Sequence, residues 1–338
     1  MAETKYFVGI DIASNTFMMS VGTQPWKVVL GPQEFENTED GYQALLDCLV
    51  SHQLLPEQTI VCMEATGVYS EGLAYFLYAK GYPVAVQPPL EVKRAFKPNG
   101  PKTDAVDSVQ IAEYACRFAD ELVFWKPRSE ILEQVKVLLA TREQFIVQNT
   151  AHKNTLQAIQ RKKVKTPFAE QAHLQMIEQF KKQIRAIDQE IRRLIESDPT
   201  FKQTLLLLLS IPGVGLLLAA HMLLLTSVST DYKELASFLG ISPNQHWSGS
   251  SVYKTPTSRH FGPAAERKLL YLAACSLRTH QQQFRTYFLR KTAQGKSPRL
   301  VLNNIANKLL KIICAVLRSQ KPYIPNYRSV QPLLLKIP

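Results

Sequence analysis

An apolar run that ends in a single carboxylate stands near the start of the chain, where Tyr6-Phe-Val-Gly-Ile leads directly to Asp11. Small and polar residues follow it, so the run has the length and the boundaries of a buried strand. A strand that presents a carboxylate at its end holds that group rigidly, as a metal site requires. An Asp at a strand end is more often a turn or capping residue, so its meaning depends on the carboxylates further along.

Strand-like and helix-like runs alternate as far as about residue 125. Short apolar runs predict further strands, at 17–21, 27–30, 59–63 and 81–86. Apolar residues at steps of three and four predict one helix after 37–41 and another after 65–69. Successive strands that then alternate with helices indicate a mixed α/β domain over residues 1–125.

A helical arm is predicted over residues 126–199. Apolar residues recur at steps of three and four between Leu174 and Leu194, and charged residues fill the other faces. This pattern extends over about three heptads and favours a coiled-coil hairpin or dimerisation arm. Lys162–Pro167 is the expected loop within it, and the pair Asp198-Pro199 is expected to end it.

The remaining residues, 200–338, are predicted to form a mainly helical domain. Thr204–Thr226 is uncharged and rich in Leu, but Ile211-Pro-Gly-Val-Gly215 interrupts it. A bilayer span needs about 20 continuous apolar residues, so two buried helices joined by a tight turn are expected instead. Basic amphipathic helices are expected around 264–279 and 300–317, with a Gly/Ser/Pro loop from Gly240 to Gly262.

Positive charge is concentrated in the C-terminal quarter. The chain carries a net charge of +12, and from Ser251 to Pro338 its only acid is Glu266, against sixteen Lys and Arg. This balance favours a polyanionic partner, either nucleic acid or an acidic membrane surface. Lys308 and Lys311 lie near one predicted helical face and are expected to contact a nucleic-acid backbone, with steep salt dependence.

The cysteines indicate a reducing compartment. Five are scattered without CxxC or zinc-ligand spacing, which argues against a disulfide framework and favours the cytoplasm. Met1-Ala-Glu-Thr-Lys5 leads straight into the first predicted strand, so we expect no signal peptide.

Four carboxylates share a similar setting. Asp11 and Glu64 each close a predicted strand, and Asp104 and Asp107 are spaced to share one face of a first helical turn. Gathered together, four like charges repel unless a cation neutralises them, and oxygen ligands favour Mg²⁺ or Mn²⁺. Alternatively, Asp104 and Asp107 are helix-start acids favoured by the dipole, and Glu64 is a surface residue.

Two further motifs carry polar chemistry. Trp247-Ser-Gly-Ser-Ser-Val-Tyr-Lys254 can bring a hydroxyl close to a phosphate, although Ser is a weak nucleophile unless activated. The alternative is that the serines of this segment are ordinary loop residues. The turn with Gly213 and Gly215 resembles a helix–hairpin–helix, whose backbone N–H groups suit a DNA phosphate; the alternative is a simple Gly turn between packed helices.

The carboxylate pattern resembles the RuvC-like version of the ribonuclease H fold, with its DEDD two-metal centre. The whole chain resembles the DEDD insertion-sequence transposases (the IS one-ten family), which include DNA invertases and bridge-RNA-guided recombinases. The resemblance rests on motifs in family order, namely Gly9-Ile-Asp11, Glu64-Ala-Thr-Gly-Val-Tyr69, Lys102-Thr-Asp104-Ala-Val-Asp107, Ser210-Ile-Pro-Gly-Val-Gly215, Phe238-Leu-Gly-Ile-Ser-Pro243 and Ser248-Gly-Ser-Ser251.

This resemblance implies a mechanism and its partners. Ser248 would attack the scissile phosphate and form a phosphoserine, with Ser250 and Ser251 as other candidates for the nucleophile. The two half-sites would come from different protomers of a dimer or tetramer acting on double-stranded DNA. A structured bridge RNA is implied by the family alone, as is a bacterial, nucleoid-associated setting.

One motif departs from the family pattern. Thr257-Ser-Arg-His-Phe-Gly262 has one residue more than usual between the basic residue and Gly, so Arg259 and His260 both remain candidates for the phosphate contact. Further nucleic-acid contacts are expected from basic residues that flank the motifs, namely Lys102, Lys254, Arg267 and Lys268.

Two rival functions remain open. A water-using nuclease or junction resolvase would need the four carboxylates and not Ser248. A catalytically silent nucleic-acid-binding protein would tolerate loss of Asp11 but not of Lys308 and Lys311.

Overall fold

The computed structural model describes residues 5–96, 103–248, 252–258 and 262–325, with the backbone alone for 243–248 and 252–258. The chain forms two compact units, Met1–Arg128 and Ser129–Pro338. The first unit contains the residues of the predicted α/β domain, whose boundary at residue 125 stays a prediction. The arm and the C-terminal helices belong to one unit, so their division at residue 199 stays a prediction.

The first unit is built on a five-stranded mixed sheet. Its strands are β1 (Tyr6–Ile12), β2 (Thr16–Thr23), β3 (Lys27–Glu36), β4 (Thr59–Glu64) and β5 (Val84–Gln87). They lie in the order β3-β2-β1-β4-β5; the first three are antiparallel, and β1, β4 and β5 are parallel. This order and direction are those of the ribonuclease H fold, so the predicted fold class is confirmed.

Helices cover both faces of this sheet. They are α1 (Glu39–Ser51), α2 (Glu71–Ala79), α3 (Pro89–Ala95) and α4 (Asp104–Arg117). On one face, Tyr42 and Leu45 of α1 and Leu73 of α2 join a core with Val8 and Ile10 of β1. On the other face, α4 packs Ile111 and Ala115 against residues such as Phe7 and Cys62. Burial on both faces explains the nearly continuous apolar character of β1 and β4.

The second unit begins with the predicted helical hairpin, formed by α5 (Glu130–Gln160) and α6 (Pro167–Ser197). Leu139, Ile187 and Ile191 are buried between the two helices and the rest of the unit. Polar pairs also cross this hairpin, since Arg142 Nε donates to Asp188 Oδ1 at 2.5 Å and the Nδ1 atoms of His152 and His173 lie 2.9 Å apart. Polar pairs at such positions favour one helix register over others.

Six further helices form the core of the second unit. They are α7 (Pro199–Leu209), α8 (Leu216–Thr226), α9 (Tyr232–Phe238), α10 (Ala264–His280), α11 (Gln282–Ala293) and α12 (Pro298–Ser319). The Leu-rich stretch is thus two helices joined by a turn, as predicted. α12 is long and apolar enough by composition to cross a bilayer, but residues such as Ile305, Leu309 and Ile313 are buried in this core.

A two-stranded ribbon stands where the sequence favoured a loop. β6 (Pro243–Ser248) and β7 (Val252–Ser258) pair antiparallel, with a register shift between Asn244 and His246. The loop prediction for this stretch is therefore wrong. Val252, Tyr253 and Thr255 favour strands, but the surrounding Pro, Ser and Gly residues favour turns and mask that preference locally.

Candidate active site

The register between β1 and β4 places two carboxylates side by side. Gly9 of β1 pairs with Cys62 of β4, and the two strands are parallel. Side chains alternate along a strand, so Asp11 lies on the same sheet face as Gly9, and Glu64 lies on the same face as Cys62. Both carboxylates therefore project from the C-terminal strand ends toward the face that α4 covers.

Helix α4 brings the other two carboxylates to the same place. Thr103 caps it by accepting from the backbone N–H of Val106 at 3.3 Å, and Asp104 and Asp107 occupy its first turn. The hydroxyls of Ser20 and Ser108 are hydrogen-bonded at 2.8 Å in the interior, which connects α4 to β2. The predicted placement of both Asp residues in one helical turn is confirmed.

Gly9 sets how closely α4 approaches the sheet. A Cβ atom added at Gly9 would lie 2.1 Å from the backbone nitrogen of Ala112 and 2.3 Å from the carbonyl oxygen of Ser108. The helix backbone therefore lies directly on the strand, two residues before Asp11. This contact explains why a glycine belongs in the motif Gly9-Ile-Asp11.

The charges of the four carboxylates act on one another. The pKa of Asp11 is raised to about 6, first by burial and then by the negative charges of Asp107, Glu64 and Asp104. We call the ends of β1 and β4, together with the first turn of α4, the carboxylate edge. The repulsion within it favours a bound cation, which would lower the pKa of Asp11 again.

The carboxylate edge fits a magnesium-type site better than an all-protein metal cage. Among the described residues, no three His, Cys, Asp or Glu side chains lie close enough to share one ion. Mg²⁺ is commonly held by one or two carboxylates, with water and substrate phosphates as its remaining ligands. Close to Glu64 in the chain, two residues after it, the hydroxyl of Thr66 is buried and has no hydrogen-bond partner in the described structure.

Ser248 lies at the far end of the two-stranded ribbon. It is the last residue of β6 and pairs with Val252, the first residue of β7. Lys254 pairs with His246 within the ribbon. The other predicted residues of these loops, Ser250, Ser251, Arg259 and His260, lie outside the described residues, as does Lys102.

Arg267 secures the base of this ribbon. Its Nη1 donates to the carbonyl oxygen of Gly262 at 2.9 Å and to that of Leu239 at 3.4 Å. Gly262 has a φ of +98°, and a Cβ there would lie 2.1 Å from the carbonyl oxygen of Phe238. The predicted phosphate contact of Arg267 stays a prediction; the observed contacts hold together the segments that enter and leave the ribbon.

Beside Arg267 lies a hydrogen-bonded pair of side chains that no sequence motif indicated. His221 Nδ1 and Glu266 Oε1 are 3.0 Å apart, and both side chains are mostly buried. The hydrogen bond from His221 lowers the pKa of Glu266. The pair joins α8 to the first turn of α10, directly after the ribbon. A separation of 45 residues gives no local pattern that predicts it.

The predicted basic contacts are partly engaged with the protein. Lys308 Nζ lies 5.7 Å from the Phe284 ring centre, and Lys311 Nζ lies 4.7 Å from that of Tyr232. Lys268 pairs with Glu143 at 3.0 Å, with both side chains about half exposed.

Gly213 and Gly215 form the turn between α7 and α8. Gly213 has a φ of +81°, which favours glycine, and it packs against Leu277 of α10, whereas a Cβ at Gly215 would contact nothing. The turn is exposed at both glycines. Binding of a phosphate by this turn stays a prediction.

Sequence comparisons identify relatives along most of the chain. Residues 8–163 match the family model described as a DEDD transposase, and residues 205–289 match that of the transposase IS116/IS110/IS902 family. Pilin gene-inverting proteins of Moraxella bovis and Moraxella lacunata are each 27% identical over 95% of this chain and 98% of their own length. An IS110 insertion-element protein of Streptomyces coelicolor is 30% identical over 40% of this chain and 33% of its own.

Among solved structures, Thermus thermophilus RuvC bound to a Holliday junction matches 36% of this chain and 99% of its own. Its sequence identity is 14% and its TM-score is 0.29. The two family matches cover both units and include the carboxylates and Ser248. This protein belongs to the IS116/IS110/IS902 family of DEDD transposases.

Proposed function

We propose that this protein moves an insertion sequence by cleaving and rejoining DNA strands through a phosphoserine at Ser248, with Mg²⁺ or Mn²⁺ held by Asp11, Glu64, Asp104 and Asp107. The observation that carries the proposal is the convergence of these four carboxylates at one edge of the sheet, where burial and then the charges of the other three raise the pKa of Asp11. The position of Ser248 as the last residue of β6 supports it, because the pairing with β7 holds its backbone in register.

The strand exchange needs no hydrolysis. The hydroxyl oxygen of Ser248 loses its proton and forms a bond to phosphorus, while the bond from phosphorus to one deoxyribose oxygen breaks and that oxygen takes up a proton. Attack by a deoxyribose hydroxyl on the phosphoserine reverses these steps and restores Ser248. When bound, the divalent ion neutralises charge that builds up on the phosphate oxygens.

The basic second unit provides the proposed nucleic-acid surface. Lys254, Lys308 and Lys311 are candidates for backbone contacts, together with Arg259, Arg267 and Lys268. Phosphate contacts of this kind predict binding that weakens steeply with salt. A structured bridge RNA is proposed as the guide on the strength of the family, and the assay below includes it as a variable.

We also propose a homo-oligomer joined through α5. One exposed face of this helix, between residues 137 and 158, carries no charge. The face is formed by positions three or four residues apart, namely Val137, Ala140, Gln144, Val147, Ala151, Asn154 and Ala158. Val137 and Val147 are 62% and 56% exposed. An uncharged stripe on a long helix suits packing against a second copy, so Val147→Lys is expected to yield monomers in light scattering.

DNA inversion is the second candidate function. The similarity to pilin gene-inverting proteins extends over nearly the full length of both chains. Inversion uses the same cleavage and rejoining chemistry, so the two functions differ only in the arrangement of the recombining sites. A plasmid with the element's ends in direct or inverted orientation distinguishes them, because inversion reverses the segment and excision removes it.

Covalent trapping tests the proposed chemistry. The full chain is incubated with Mg²⁺, labelled DNA containing its element junction, and RNA transcribed from the flanking region, and is then denatured. We expect a labelled protein adduct that is lost in Ser248→Ala, in Asp11→Ala and with EDTA. The same reaction without RNA measures whether adduct formation requires the guide.

Other outcomes would contradict this mechanism. Cleavage without an adduct, unchanged in Ser248→Ala and abolished in Asp11→Ala, would identify a hydrolytic nuclease. An adduct that persists in Ser248→Ala would assign the nucleophile to another residue, with Ser250→Ala and Ser251→Ala as the next variants.

A further inference from the structure

Two exposed apolar side chains lie beside the carboxylate edge without a role in the proposed chemistry. Val68 and Tyr69 occupy the short helical turn Gly67–Tyr69, which begins three residues after Glu64 at the end of β4. They are 75% and 49% exposed. Leu90, 65% exposed, follows β5 at the same edge of the sheet. Large apolar side chains grouped beside a charged site are typical of an interaction surface.

The turn that carries Val68 and Tyr69 is firmly held. The side-chain nitrogen of Asn37 donates to the carbonyl oxygens of Ala13 and Tyr69, both at 3.1 Å. Its side-chain oxygen accepts from the Tyr42 hydroxyl at 2.6 Å. Asn37 thereby joins the loop after Asp11 to the turn after Glu64, so the apolar turn and the carboxylates keep a constant spacing.

This support continues into the core. The Tyr42 ring lies 6.2 Å from that of Phe17 and 5.6 Å from that of Phe76, and Tyr42 itself is buried. Gly67 has a φ of +72°, which permits the sharp turn between Glu64 and Val68. A side chain inserted into a base stack must resist the restoring force of the stack, and a turn attached to a packed core can do so.

Positive charge lies on the helix that begins at the same edge. Lys93 and Arg94 are exposed in the last turn of α3, which follows β5, and the described structure gives neither an ion pair with an acidic side chain. Cations on this helix favour the phosphates of a bound duplex. A surface that combines apolar side chains with cations fits DNA better than it fits an apolar protein partner.

We infer that Val68 and Tyr69 form a wedge that unstacks the bases next to the cleaved phosphate and thereby presents that phosphate to the carboxylate edge. Apolar side chains inserted at a base step are an established means of kinking a duplex. The inference rests on the proposed DNA cleavage, and it adds a contact that distinguishes duplex from already unpaired substrate.

The test compares two pairs of substitutions. Val68→Ala with Tyr69→Ala removes the wedge, whereas Val50→Ala with Leu55→Ala removes apolar side chains that are 55% and 47% exposed, near the end of α1 and shortly before β4 begins. Tyr69→Phe retains the ring. Each protein receives a duplex carrying the junction at which the wild type forms its adduct, and the same DNA with mismatches beside the cleaved phosphate.

Cleavage and base unstacking are then measured separately. We expect the wedge variant to cleave the duplex about tenfold more slowly and the mismatched DNA at the wild-type rate. The control pair and Tyr69→Phe should cleave both substrates normally. In a Ser248→Ala background, 2-aminopurine beside the phosphate should brighten on binding, and this rise should disappear with the wedge.

The outcomes separate this inference from the proposed function. Equal cleavage of the duplex by wild type and wedge variant would overturn the inference while leaving the cleavage chemistry intact. An equal defect on duplex and mismatched DNA would also overturn it, since that result indicates a structural role. If neither the wild type nor the control pair cleaves either substrate, the proposed function fails and the wedge fails with it.

Discussion

The carboxylate edge and the two-stranded ribbon that carries Ser248 are held in place by different means. Asp11 and Glu64 extend from two paired strands of a five-stranded sheet, and α4 is packed directly onto β1. Ser248 ends one strand of a two-stranded ribbon, a structure that is at best marginally stable by itself. Among the described residues, hydrogen bonds from Arg267 to Leu239 and Gly262, and from Asn303 to Ile241, hold the segments at the ribbon's base. The carboxylates are thus positioned by a packed sheet and helix, whereas these polar contacts support the base of the ribbon.

Disruption of the contact between α4 and β1 is expected to have the largest effect on stability. Gly9→Ala would push a methyl group into the backbone of α4 and is expected to destabilise the first unit by about 3 kcal/mol, because overpacking forces backbone shifts. For a unit of the size of Met1–Arg128, that corresponds to a melting temperature lower by about 10 °C. Cleavage should be lost with it.

Gly215→Ala is the matched control, because a Cβ there has nothing within 4 Å. Thermal unfolding followed by circular dichroism measures both variants. If Gly9→Ala unfolds at the wild-type temperature, α4 does not lie as closely on β1 as described.

Loss of Arg267 should affect the ribbon and leave the carboxylates unchanged. Arg267→Ala removes the hydrogen bonds to Gly262 and Leu239, and a small displacement of a reacting group can cost about 10²-fold in rate. We expect adduct formation to slow by about that factor, while stabilisation by Mg²⁺ stays unchanged. Arg278→Ala, further along α10, controls for the loss of one positive charge. If both variants slow adduct formation equally, Arg267 does not position the ribbon.

The polar contacts of the arm differ in burial, and so should their energies. Arg142 is 15% exposed and makes two hydrogen bonds to Asp188, so Asp188→Asn should cost about 1–3 kcal/mol because it leaves a mostly buried guanidinium poorly paired. Lys268 and Glu143 are about half exposed, and Lys268→Ala should cost less than about 1 kcal/mol. Urea unfolding of both variants gives the ranking, and the reverse order would contradict this account.

A pH-dependent shift in stability is also expected from Asp11. Its pKa is about 6 when folded and about 3.9 when unfolded, so the folded protein binds the proton more tightly. Without metal, stability should therefore fall as the pH rises from about 4 to about 6 and stay level above that. Asp11→Asn carries no charge at this position, so its stability should not fall over this pH range. In EDTA at pH 7.5 the variant should therefore melt at a higher temperature than the wild type.

Added Mg²⁺ should reverse this order. Ion binding stabilises the folded wild type by mass action, whereas Asp11→Asn has lost one of the proposed ligands. Differential scanning fluorimetry at pH 4 and pH 7.5, with EDTA or Mg²⁺, measures all four conditions. A variant that melts below the wild type in EDTA at pH 7.5 would show that the four charges do not repel as described.

Local sequence patterns determined much of this protein. Apolar runs predicted β1, which contains Asp11, and β4, which ends at Glu64. Helical spacing placed Asp104 and Asp107 in one turn, and apolar residues at steps of three and four predicted the helix α6. Each of these signals is periodic and lies within a few turns of chain, where backbone geometry alone relates spacing to position. The family motifs added the expectation that the four carboxylates act together.

Only the tertiary structure decided how distant segments meet. The Ser20–Ser108 hydrogen bond spans 88 residues, and Asn37 joins two loops that no periodic pattern relates. The ribbon was missed because its strands are short and rich in turn-forming residues, so that cross-strand pairing outweighs local preference. Contacts of this kind depend on which surfaces the packed core brings together, and a single sequence read locally contains no such information.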